Sequence, residues 1–130
     1  MILFLSINNC LKQFNVKYVF CGDFSLYLNG ITEVNEFEDV DVDFCESTEY
    51  EKLHINVGLI LDTYPIDKLV PIPGIPLKYH SIKLNDEDIL ISDLDYELEI
   101  KNELLKNPNY NKREQAIDKI NLIERYLNNK

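Results

Sequence analysis

Apolar residues recur along this chain with two different periods, one helical and one alternating, and the switches between them outline its elements. Leu3, Phe4, Ile7, Leu11 and Phe14 fall at helical spacing, with Asn8, Asn9, Lys12 and Gln13 elsewhere and Asn15 as a stop, which predicts a first helix. Lys17-Tyr18-Val19-Phe20-Cys21 is a run of strand formers ended by Gly22 and predicts a buried strand. Residues 23–29 read as a short helix, capped by Asp23 and closed by Gly30. After a polar stretch over residues 31–38, Asp39-Val40-Asp41-Val42-Asp43-Phe44 has the clearest period-two pattern in the chain: Val40, Val42 and Phe44 share one face, and the three aspartates share the other.

Residues 45–52 are acidic and fit one short helix. Two apolar runs follow, 57–61 and 66–70, separated by Asp62-Thr63-Tyr64-Pro65, as in a strand pair or a kinked strand. Pro71, Pro73, Gly74 and Pro76 mark an irregular connection. A hairpin is predicted from Tyr79–Leu84, a turn at Asn85-Asp86-Glu87 and a return strand over residues 88–91. Ser92 opens a helix with Asp95 three residues on, and Leu94, Leu98, Lys101 and Leu105 fall on one side of it. Pro108 interrupts, and a last helix from about Lys112 carries Ala116, Ile120, Ile123 and Leu127 on one stripe. This order predicts an α+β domain, a mixed β-sheet flanked by helices, with C-terminal helices.

The length, 130 residues, fits one domain over 1–130, and 45% apolar with 28% charged residues is ordinary globular usage. Charge changes the picture more. The net charge of −10 argues against a nucleic-acid partner, which needs a basic face, and suits a protein that gathers divalent cations or meets a basic partner. Three cysteines, Cys10, Cys21 and Cys45, include no close pair, so neither a disulfide framework nor a zinc site is predicted. Thiols in a reducing compartment, no basic n-region ahead of the first apolar patch and no apolar run of about 18 residues predict a cytoplasmic protein with no membrane segment.

The chemistry concentrates in two segments, residues 18–30 and 38–42. They read as strand, glycine turn, helix N-terminus, then a strand with alternate carboxylates. Aspartates at i and i+2 of a strand lie on one side, roughly 7 Å apart, where their oxygens can bind one Mg²⁺ or bridge two. Such ions neutralise triphosphate charge and activate an attacking hydroxyl.

This arrangement resembles the DNA polymerase β-like nucleotidyltransferase superfamily, especially its small, minimal bacterial, toxin-like and viral members. The family has a strand ending in Gly-Gly or Gly-Ser, a short helix, Asp-x-Asp on the next strand, and a third carboxylate on a later one. Gly22 matches the glycine, Asp39 and Asp41 match the metal-binding pair, and Asp67 is the candidate third carboxylate, with Asp62 as its alternative. Residues 88–94 with Lys101 resemble the family's strand and lysine-bearing helix, and Arg113 to Ile120, with Asp118, resemble the helix beside it. The likeness covers most of residues 16–127. It implies transfer of a nucleoside monophosphate from a Mg²⁺-bound nucleoside triphosphate to an acceptor hydroxyl on a protein, a small molecule or an RNA end. Asp39, Asp41 and Asp67 would be the catalytic and metal-binding residues, Gly22 and Ser25 would contact phosphates with Lys101 assisting, and Asp23 would border the nucleotide.

One position departs from the pattern. Asp23 stands where the family has Gly or Ser, and a carboxylate facing a triphosphate weakens binding unless a cation neutralises it. Asp41 and Asp43 form a second register of the same motif. The alternative function is a catalytically degenerate copy of the fold, acting as an acidic binding or inhibitor protein.

Overall fold

The computed structural model describes residues 8, 9, 12, 17–36, 40–44, 66–68 and 72–129. Five strands are β1 (Tyr18–Cys21), β2 (Val40–Phe44), β3 (Ile66–Lys68), β4 (Tyr79–Leu84) and β5 (Glu87–Ser92); three helices are α1 (Gly22–Leu28), α2 (Leu94–Leu105) and α3 (Arg113–Asn128). The strands form one mixed sheet in the order β3-β2-β1-β5-β4. β1 pairs antiparallel with β2 and parallel with β5, β2 pairs parallel with β3, and β4 pairs antiparallel with β5. The α+β class with a mixed sheet and C-terminal helices is therefore what the chain adopts.

β1 is central because it is apolar on both faces: Val19, Phe20 and Cys21 are all buried. Phe20 meets Tyr18 and Phe24 edge-on, with ring centroids 5.6 and 5.7 Å away. The helices close a second cluster, in which Leu26 of α1, Ile31 and Val34 of the following loop, Leu94 of α2 and Ile123 of α3 pack together. α3 buries Ala116, Ile120 and Ile123, as its stripe predicts, but Leu127 at its last turn is exposed.

The β4–β5 hairpin follows from its turn. Asn85 and Asp86 both have positive φ, 50° and 62°, the conformation of a two-residue type I′ loop that these residue types tolerate best. Glu87 is not part of the loop, as the sequence reading had it, but pairs with Leu84. Two helix starts also differ from expectation. α1 begins at Gly22, so Asp23 lies in its first turn, and the N-cap is Cys21 without a side-chain bond. α2 is entered from Asp93, not Ser92; Ser92 still belongs to β5 and its hydroxyl is used elsewhere. Of the expected first helix, Asn8 and Asn9 are helical and most of the rest lies outside the described residues, as do the expected helix at 45–52 and the run at 57–61.

The N-terminal segment is fastened to the hairpin through polar contacts. The Tyr18 hydroxyl donates to Asn8 Oδ1 at 2.7 Å, and Asn8 Nδ2 donates to Glu87 Oε2 at 2.9 Å. Burial, then the Glu87 carboxylate, pushes the Tyr18 phenol up to about 12 from 10.0. The folded state thus holds this proton more tightly than the unfolded chain. That contribution is full below pH 10 and is lost as pH rises from about 10 through about 12. Tyr18→Phe is expected to lower stability by about 1 kcal/mol at neutral pH and to flatten the alkaline fall of an unfolding curve over that window; an unchanged alkaline slope contradicts this.

Candidate active site

Three neighbouring strands bring one rung of the sheet to the Gly22 turn. Cys21 pairs with Asp41 across β1 and β2, and Asp41 pairs with Asp67 across β2 and β3. Gly22 follows Cys21 with φ +66°, which an L side chain adopts only with strain. The reason for glycine is also steric: a Cβ at this position would lie 2.1 Å from Asp41 Oδ2 and 2.9 Å from its Cγ. The Asp41 carboxylate therefore sits directly over the glycine, where the chain leaves the sheet and enters α1.

Of the expected carboxylates, Asp41 is thus at the turn and Asp67 is its register partner. Asp39 and Asp62 lie outside the described residues, as does the side chain of Asp67. Asp43, the alternative partner of Asp41, pairs with Val19, one pleat further from the turn. It is 3% exposed, and burial pushes its carboxyl above the usual range. The aspartate face of β2 is covered rather than solvated at this position.

The second carboxylate at the turn is one that periodicity does not single out. Glu97, in the first full turn of α2, is buried, and its Oε1 accepts the Gly22 N–H at 2.5 Å. The same oxygen accepts from Ser92 Oγ at 2.9 Å, and Oε2 accepts from Lys101 Nζ at 3.3 Å. The Glu97 and Lys101 side chains are only 5% and 13% exposed. Lys101 therefore belongs to the site, but it faces Glu97 in this structure. The signal that marks Glu97 in the sequence is its i, i+4 spacing to Lys101.

Ser25 is a correction. It is fully buried, its hydroxyl donates to the Ser92 carbonyl at 2.8 Å, and Asn29 Nδ2 donates to Ser25 Oγ at 3.1 Å. One helical turn from Gly22 carries residue 25 inward with Phe24 and Leu26, so this hydroxyl ties α1 to the end of β5 instead of facing the turn. Asp23 instead is half-buried at the edge of the first turn, and Lys119 Nζ of α3 lies 3.4 Å from its Oδ2. A lysine thus stands beside the carboxylate that departs from the family pattern, as a neighbouring cation must if Asp23 is to border anions.

The field at this face is negative. The buried Cys21 thiol is pushed well above its usual range, first by burial and then by the Glu97, Asp43 and Asp41 carboxylates, which leaves it an unreactive thiol at neutral pH. The Tyr96 phenol is raised as well, by burial first and then by Cys21, Asp43 and Glu97 among others. Carboxylates from one strand, β2, and one helix, α2, thus act on Cys21 together, an arrangement that attracts a cation. Among the described residues no group of three or more His, Cys, Asp or Glu side chains is placed to hold a metal ion.

A groove of about 620 Å³ lies elsewhere, between Pro73, Gly74 and Ile75 and the outer side of α2 at Leu98, Glu99 and Asn102, and includes none of these groups. Among the described residues no helix is long and apolar enough to cross a membrane. Comparison of the chain with protein-family models, with curated proteins and with solved structures finds no match.

Proposed function

We propose that this chain is a nucleotidyltransferase-like domain that transfers a nucleoside monophosphate from a Mg²⁺-bound nucleoside triphosphate to an acceptor hydroxyl. The observation that carries the reading is the Asp41 carboxylate packed over Gly22, with Asp67 opposite it in register. It joins the three motifs on which the sequence resemblance rests, the glycine turn, the Asp-x-Asp strand and the later carboxylate, at one end of three adjacent strands.

The donor set suits a hard cation, since carboxylate oxygens are the ligands Mg²⁺ prefers. Asp41 and Asp67, with Asp39 two residues before Asp41 in the sequence, would hold it. When bound, the ion supplies charge neutralisation for the triphosphate and acidifies the acceptor hydroxyl. The acceptor oxygen forms its bond to the α-phosphorus as the bond to the bridging oxygen breaks, and pyrophosphate departs. Asp67 would take the acceptor's proton. Lys101 and Lys119 are the lysines of the helices packed around the turn, and the missing side chain at Gly22 leaves room for the Asp41 carboxylate. A net charge of −10 disfavours an RNA end as acceptor relative to a protein side chain or a small molecule.

A second reading has its own support. The Gly22 N–H and the Ser25 hydroxyl, two donors the resemblance would offer to a triphosphate, are bonded to Glu97 and to the Ser92 carbonyl. A copy of the fold that has given up catalysis and uses its acidic surface to bind a basic partner fits those bonds.

Thermal unfolding with Mg²⁺ and each nucleoside triphosphate separates the two. Under the transferase reading, one nucleotide at a hundredfold excess over its dissociation constant stabilises the protein by about 2.7 kcal/mol. Asp41→Asn is expected to abolish that shift and to reduce transfer of an α-labelled nucleotide to lysate acceptors at least about 100-fold, since even outer-shell partners of metal ligands are worth that much. No nucleotide-dependent shift in the unaltered protein leaves only the binding reading.

A further inference from the structure

Gly22 is held between two carboxylates. Its N–H points at Glu97 Oε1, 2.5 Å away, and the direction a Cβ would take points at Asp41 Oδ2. The two acids come from unrelated places, Glu97 from α2 and Asp41 from β2. Their common neighbour is a residue with a left-handed backbone, whose peptide orientation is otherwise weakly determined.

Glu97 is equipped to determine it. A carboxylate this deep is retained only where donors and a cation compensate it, and Gly22 N–H, Ser92 Oγ and Lys101 Nζ do so here. Ser92 is anchored in turn: it ends β5, and its carbonyl accepts from Ser25 and from Asn29 Nδ2, at 2.8 and 3.0 Å. The glycine turn is thereby tied to β5, α1 and α2 at once, and the Asp41 carboxylate packs directly against that turn.

We propose that Glu97 is a positioning residue, whose buried carboxylate fixes the Gly22 turn and so holds the Asp41 carboxylate where a divalent cation can bind it. The inference rests on the reading of Asp41 as a cation ligand. Glu97 itself touches neither metal nor nucleotide; it acts through Gly22.

Charge-balanced variants separate geometry from field strength. Glu97→Gln with Lys101→Met keeps an acceptor oxygen for Gly22 and removes one charge of each sign. Glu97→Met with Lys101→Met has the same net charge and similar volume but offers no acceptor; replacement of a buried ion pair by packed apolar groups commonly preserves folding. Two readouts are taken on each: hydrogen exchange at the Gly22 amide, and Mn²⁺ affinity by electron paramagnetic resonance. Both variants lack Lys101, so they are compared with each other: relative to the Gln variant, the Met variant is expected to exchange at least about tenfold faster at the Gly22 amide and to bind Mn²⁺ at least about tenfold more weakly. Glu97→Asp, one methylene short of the amide with its charge intact, is expected to lose Mn²⁺ affinity likewise, and serves if the Met variant does not fold. Ile123→Val, which loosens the cluster with Leu26, Ile31, Val34 and Leu94, is expected to lower stability without moving the Mn²⁺ affinity. Unchanged Mn²⁺ binding in a folded Met or Asp variant overturns the inference alone. Absence of any Asp41-dependent Mn²⁺ binding in the unaltered protein overturns the cation reading, and the inference with it.

Discussion

Alanine at position 22 is expected to destabilise this protein by about 3 kcal/mol and to weaken divalent-cation binding at least about tenfold. Two effects add. A φ of +66° holds an L-residue in the left-handed region, at roughly 1–2 kcal/mol. The new methyl group would also collide with the Asp41 carboxylate, 2.1 Å away at its nearest oxygen, on a short side chain of a strand paired on both sides. Gly74 provides the control: its φ is +87°, yet nothing lies within 4 Å of an added Cβ, so Gly74→Ala should show the backbone effect alone, about 1 kcal/mol, and leave cation binding untouched. A double-mutant cycle completes the test. Combined with Asp41→Ala, which removes the colliding carboxylate, Gly22→Ala should be milder than in isolation by about 1 kcal/mol or more. Strict additivity of the two changes, measured by denaturant unfolding, contradicts the packing of Asp41 over Gly22.

Lys101→Met is expected to have a similarly large effect, a loss of about 3 kcal/mol, because it strands the Glu97 carboxylate in a buried site. The Glu97–Lys101 pair differs from the other ion pairs of α2. Lys78 to Asp95 and Glu99, and Lys106 to Glu103, join side chains 40% or more exposed, where pairing contributes little, whereas Glu97 and Lys101 are 5% and 13% exposed. Adding Glu97→Gln to Lys101→Met is expected to recover most of the loss, since a neutral amide needs no counter-charge. A Lys101→Met protein with an unfolding midpoint in urea equal to that of the parent contradicts the buried pairing.

The parts legible in the sequence are those governed by local chemistry. Two consecutive residues that tolerate positive φ, Asn85 and Asp86, between alternating runs give the β4–β5 hairpin, and the strand formers ahead of Gly22 give β1 and the entry to α1. The parts that were not legible depend on what a segment meets. Ser25 and Asp23 both follow the glycine within one turn, and only the packing of α1 against β5 decides that Ser25 faces inward while Asp23 faces Lys119. Glu97 shares its helix with Asp95, Glu99 and Glu103, and spacing alone does not say that this one is buried against Gly22, because the parallel pairing of β1 with β5, distant in sequence, places α2 there. Ser92 has the residue type of a helix cap and the position of a strand end, and the demand of a buried carboxylate for a donor takes its hydroxyl.

These contacts make the Gly22 turn a corner where carboxylates from a strand and a helix meet, and the proposed chemistry depends on a cation binding the strand's carboxylate, Asp41, there. The most direct measurement is an anomalous difference map from crystals grown with Mn²⁺ and a non-hydrolysable nucleoside triphosphate. The expected result is a peak in bonding contact with an Asp41 oxygen, about 2 Å away, with Asp67 or Asp39 as a further ligand and the triphosphate against it. A map with no peak beside Asp41, or with the nucleotide bound away from Gly22, contradicts the account.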